Sequence, residues 1–165
     1  MVRSLFASLT LTLALPVALG AAEATCDGKL IVNGKTTKLS HVYAISQPTG
    51  SGETFIHVIF SDVPISDKDL ALFPDVLLKE INDGKVHAIR LGLEGNGTFD
   101  ATDIFDAAGW PTIKEGNKLE LEKSDGKNIA GHLHLGKPYT DPGGTKWDYD
   151  IKFSAPLRDE AELNQ

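Results

Sequence analysis

In three stretches between Leu119 and Phe153 the apolar residues fall on every second position, a spacing that only an extended chain can bury on one side. Residues 118–123 turn Leu119 and Leu121 inward, and 128–135 turn Ile129, Leu133 and Leu135 inward. Residues 146–153 do the same with Trp147, Tyr149, Ile151 and Phe153. A helix would scatter these side chains around its axis. The pattern therefore predicts a consecutive antiparallel meander. Residues directly opposite one another share a face, so Leu121 is expected to face Ile129 and Leu119 to face Gly131. That register leaves Ser124-Asp125-Gly126 as a three-residue loop with Gly126 left-handed.

The same period governs most of the chain upstream. Residues 28–33, 41–47, 54–61 and 86–93 read as strands, and Asn33-Gly34 is a hairpin turn. Pro48-Thr49-Gly50-Ser51-Gly52 is an irregular loop. Residues 54–61 carry apolar side chains on both faces, as a central strand does. One helical insertion is expected at about residues 66–82. Ser66 caps it, Asp67 and Asp69 sit at the positive end of the dipole, and Pro74 opens a second short helix bearing Leu77, Leu78 and Ile81. Residues 99–117 show no period and read as irregular. The expected fold is mostly β, an antiparallel β-sandwich or flattened barrel of about seven or eight strands. It forms a single domain over residues 27–157, followed by a polar, frayed tail at 158–165.

The N-terminus adds a compartment. Met1-Val2-Arg3 is a short positive start, Leu5 to Leu19 is apolar, and Ala22-Glu23-Ala24 is a small-x-small cleavage site, with Gly20-Ala21-Ala22 as a second candidate. Residues 1–24 thus read as a signal peptide, the apolar run being short for a membrane-spanning anchor. The protein is expected to be exported, to a periplasm or to the medium. No later apolar run is long enough to span a membrane. Cys26 is the single cysteine, so no intramolecular disulfide forms, and Thr25 and Glu23 before it disfavour lipidation. A net charge of −7 without a basic run argues against nucleic acids and anionic membranes as partners.

His132 and His134 carry the main chemical candidate. Both point away from the core because Leu133 points into it, and Asp148 and Asp150 of the next strand share that outer face. His132 then faces Asp148 or Asp150, with Glu120 diagonal to it on the other side. His132, His134, Asp148, Asp150 and Glu120 could together offer nitrogen and oxygen ligands to zinc or another divalent metal. The alternative is a solvated face where histidines sit beside carboxylates. Lesser candidates are His57 and His87 on apolar strand faces, and Asp100, Asp103 and Asp106 as a calcium loop. Asn96-Gly97-Thr98 is a glycan-acceptor triplet, and Trp110 and Tyr139 would serve as a sugar platform. No Gly-x-Ser-x-Gly, phosphate-binding glycine loop, paired-cysteine zinc motif or His-Glu-x-x-His occurs. The expected function is an exported, non-catalytic domain, without a cofactor, that binds a protein or small ligand through its loops. The alternative is a metal-binding protein or metal-dependent enzyme built on the histidine pair.

Residues 28–35, Gly-Lys-Leu-Ile-Val-Asn-Gly-Lys, followed by Leu39-Ser40-His41-Val42-Tyr43-Ala44, resemble the opening of small exported bacterial proteins of unknown function. Residues 149–156, Tyr-Asp-Ile-Lys-Phe-Ser-Ala-Pro, resemble their closing strand. The resemblance implies export and a β-sandwich, and it brings no catalytic or binding residue with it.

Overall fold

The computed structural model describes residues 23–50 and 52–163. The proposed leader lies outside them, apart from Glu23 and Ala24. Strands take 56% of the described residues and helices 11%, so the protein is mostly β. The strands are β1 (Thr25–Val32), β2 (Lys35–Leu39), β3 (His41–Pro48), β4 (Thr54–Ser61), β5 (Ala88–Glu94) and β6 (Phe99–Phe105). They continue with β7 (Thr112–Ile113), β8 (Asn117–Ser124), β9 (Asn128–Leu135), β10 (Tyr139–Thr140) and β11 (Lys146–Asp159). Among the described residues three short helices accompany them: α1 (Asp67–Leu70), α2 (Leu78–Asn82), which follows a 3-10 turn at Asp75–Leu77, and α3 (Glu160–Leu163).

All eleven strands belong to one sheet, curled like half a barrel. The long β11 is its hub. Residues 147–154 of β11 pair with β1, and residues 150–156 pair with β9 on the other side. Leu157 to Asp159 then pair in parallel with β3. One half of the sheet runs β2-β1-β11-β9-β8 and the other β11-β3-β4-β5-β6-β7. Their inner faces share one core, in which Trp147, Tyr149, Ile151 and Phe153 are at most 5% exposed. Phe153 meets Phe60 of β4 edge-on at 5.1 Å. The alternating strand β11 is thus where both halves meet.

Local chemistry explains the turns. Asn33 and Gly34 both have positive φ (50° and 84°), the two-residue turn whose twist suits a hairpin. Gly131 stands where a Cβ would come within 2.5 Å of the Glu120 carbonyl, so β8 and β9 could not approach so closely with any other residue there. The β8–β9 register differs from expectation. Leu121 faces Gly131 and Leu119 faces Leu133, and a bulge lies between Leu121 and Lys123. The loop is consequently Asp125-Gly126-Lys127, Gly126 keeping its positive φ. The Asp125 carboxylate accepts the Lys127 and Asn128 amides, a local anchor that period-two reasoning does not see.

Residues 99–117, expected to be irregular, hold β6 and β7. The register slips between Gly92 and Leu93, and this irregularity breaks the alternation that would have marked β6. Residues 158–163 are also not a loose tail. β11 runs to Asp159, Arg158 forms a two-pronged ion pair with Asp67 at 2.7 and 2.8 Å, and Leu163 is buried.

The helices lie on the outer face of the second half. Ser66 caps α1 by accepting the Asp69 amide, as expected. Leu70 of α1 and Leu163 of α3 pack on Ile45 and Ile59. Ile81 of α2 packs with Val86, Ala88 and Phe105. On the outer face of the first half, by contrast, the side chains of His132, His134, Asp148 and Asp150 are only partly covered.

Candidate binding sites

On that open face β9 and β11 set the positions of the histidines. His134 lies directly opposite Asp150, and His132 opposite Lys152. His132 reaches diagonally, its Nε2 lying 2.6 Å from Asp150 Oδ1. Its hydrogen bond is the main reason the Asp150 carboxyl is held below its ordinary range, with Lys29 a lesser contributor. The two imidazoles stack at 4.7 Å, and His134 Nδ1 lies 3.2 Å from the Leu135 carbonyl. Glu120 faces His132 directly across β8–β9, where a diagonal position was expected. Asp148 turns back to accept the amide of Tyr149. Of the five expected ligands, the structure thus joins His132 with Asp150 and stacks His134 alongside. Among the described residues, no group of three or more His, Cys, Asp or Glu side chains is placed to hold a metal ion.

The three spaced aspartates also go separate ways. Asp103 accepts Arg90 Nε and Nη2 at 3.1 and 2.7 Å and the Thr112 hydroxyl at 2.6 Å. Asp106 accepts the Ala108 amide and lies 3.4 Å from His87 Nδ1. Asp100 is exposed beside the β6 irregularity. Trp110 packs edge-on against Phe105 at 6.0 Å, while Tyr139 sits in β10 opposite Trp147. Burial pushes the Cys26 thiol up to about 12 and it donates to the Leu39 carbonyl, both of which favour its weakly nucleophilic protonated form.

Two clefts remain. At one end of the second half, the β3–β4 loop and the β5–β6 turn enclose about 510 Å³ lined by Thr49, Glu53, Phe55, Glu94 and Asn96. Both loops are internally tied: Thr49 donates to the Glu53 carbonyl at 2.7 Å, and Asn96 Oδ1 accepts the Thr98 amide at 2.7 Å. Gly95 makes their approach possible, because a Cβ there would meet the Thr54 carbonyl at 2.9 Å.

The second cleft, of about 110 Å³, lies where α1 and α3 part over the sheet, with His57, Gln47, Arg90 and Glu160 at its margin. Burial, and after it the Arg90 charge, lowers the proton affinity of His57. The Nδ1 atom of His57 is buried without a hydrogen-bond partner, and that of His87 has only the 3.4 Å ion-pair contact to Asp106. The sequence pointed to both histidines but not to Gln47 or Glu160, which meet through an amide–carboxylate hydrogen bond across 113 residues of chain. Arg90 left one trace, a charged residue in the middle of an apolar strand.

These features define a curled β-sheet domain with a helical layer on half of its outer surface. No family model, curated protein or solved structure matches the chain.

Proposed function

We propose that this is an exported, non-catalytic binding domain that takes a small ligand or a segment of a partner protein through the loops at one end of the sheet. The observation that carries this reading is the convergence of two well-tied loops on the cleft of about 510 Å³. Such a cleft presents hydrogen-bonding groups on a fixed scaffold beside one aromatic side chain, Phe55, the usual constitution of a recognition site. Two further observations favour binding over catalysis. The single thiol is partly buried and held protonated, and the histidine with the closest carboxylate partner among the described residues, His132, lies on an open strand face. The apolar stretch from Leu5 to Leu19 and the resemblance to exported bacterial proteins support export. The way both halves enclose one core favours a flattened barrel over two separate sheets. No helix among the described residues is long and apolar enough to cross a membrane.

Amide NMR with a library of small polar and aromatic fragments tests the reading. Shifts are expected to cluster at residues 49–55 and 94–98. Shifts confined to other surfaces, or none at millimolar fragment, would overturn it.

A further inference from the structure

We propose that the corner of the helical layer marked by Leu72, Val76 and Trp110 is a docking surface for a basic, amphipathic segment of another protein. It is separate from the loop-end cleft and does not depend on it.

The first argument is where apolar surface stays in water. Among the described residues the large apolar side chains left exposed are Leu72 at 56%, Trp110 at 44% and Val76 at 40%. Apolar residues scattered singly over a surface need no partner. These three are grouped around one ring. Phe73, next to Leu72, meets Phe105 edge-on at 5.1 Å, and Trp110 meets the same Phe105 at 6.0 Å. Val76 follows in the 3-10 turn at Asp75–Leu77. Phe105 is buried, so it holds the tryptophan and the end of α1 on a common support. A large, fixed indole of this kind is a frequent anchor of protein interfaces.

The second argument is charge, which selects the occupant. Residues 40–116 and 157–163, which build the second half and its helices, carry 15 Asp or Glu against 6 Lys or Arg, a net −9. Residues 25–39 and 117–156 of the first half carry 7 against 9, a net +2. Four of the six cations of the second half are already held by its own acids. Lys79 and Lys85 pair with Asp83, Arg90 with Asp103, and Arg158 with Asp67. Asp69 and Asp75, three residues before and after Leu72, form no ion pair among the described residues. A second copy meeting through the same face would set like charge against like, and an anionic bilayer would be repelled in the same way. A basic segment is drawn in by this field, and apolar side chains along one of its sides cover the patch.

Calorimetry on the purified protein uses three synthetic helical peptides of about 15 residues, all without tryptophan. One has Leu on one side and Lys on the other, the second has Glu in place of Lys, and the third has Ser in place of Leu. The Leu/Lys peptide is expected to bind saturably, and about tenfold or more tightly than either counterpart. Its binding should shield Trp110 from acrylamide quenching, the other tryptophan, Trp147, being 0% exposed and silent. Amide NMR shifts are expected at residues 69–77 and 105–112. Joint replacement by Leu72→Ser and Val76→Ser should weaken the Leu/Lys peptide by about tenfold. Both side chains lie outside the core, circular dichroism checks the fold, and the peptide series on the parent protein needs no variant. Failure of the Leu/Lys peptide to bind, equal binding of either counterpart, unaltered quenching of Trp110, shifts confined to the loop-end cleft, or unaltered binding by the folded double variant would each overturn the proposal.

Discussion

The two outer faces of this one sheet have solved the same problem in opposite ways. On the first half the outward residues of β9 and β11 stay in contact with water, and His132 finds its carboxylate partner on the neighbouring strand. On the second half the outward residues of β3, β4 and β5 include Ile45 and Ile59, and the chain covers them with α1 and α3. His57 is caught beneath that cover with a buried nitrogen and no partner. Outward position on a strand therefore means different things in the two halves. What decides is whether another part of the chain returns to lie on it.

Core substitutions should separate the halves most strongly. Ile81→Ala, under α2 and 0% exposed, is expected to cost about 2–5 kcal/mol in urea unfolding. His134→Ala on the open face is expected to stay within about 0.5 kcal/mol. Equal losses would mean that the helical layer adds nothing to the fold. Next in size, Leu163→Ala removes a side chain only 6% exposed, and is expected to cost about 2 kcal/mol, at the low end for buried leucine because it lies near the chain's end. Arg158→Ala should cost under about 1 kcal/mol, since its pairing with Asp67 faces solvent. If truncation after Asp159 left stability unchanged, α3 would not be part of the cover.

How much of this could be read in advance depends on the range of the interaction. The inward set of β11 and the Asn33-Gly34 turn are local consequences of period two and positive φ, and the sequence displayed both. The β8–β9 register was missed because the Asp125 carboxylate and a bulge near Glu122, neither visible in the apolar pattern, moved the loop by one residue. β6 was missed because its register slip spoils alternation. Of the outer histidine group, the shared face was legible and the diagonal bond to Asp150 was not, since it depends on the pairing across the residue 137–144 connection. The small cleft was out of reach, because Gln47 and Glu160 come together only after the whole sheet has formed.

Acid should distinguish the faces in a graded way. His57 has an ordinary value of 6.5 that burial, and then Arg90, lowers in the fold. The unfolded chain takes up this proton first as pH falls. Stability should therefore decline below about pH 6.5 and level off once the folded imidazole is itself charged. His57→Gln removes that component of the decline, as thermal unfolding across pH would show, and an unchanged profile would refute the assignment.

The smallest effect is expected from Asp150 on the open face. Its ordinary value of 3.8 is lowered in the fold, chiefly by the His132 hydrogen bond. The sign is opposite to that of His57: the stabilisation is fully present above the unfolded value and is lost as pH falls through the folded one. Because the Asp150 side chain is 47% exposed, the pair should contribute under about 1 kcal/mol at neutral pH. Asp150→Asn and His132→Gln should each lower stability by that small amount, and the double variant by no more than either alone. Zinc supplies the sharper comparison. If a zinc-dependent rise in melting temperature appeared and vanished in His132→Gln, the open face would be a metal site after all, and its bareness would mark function where the second half uses cover.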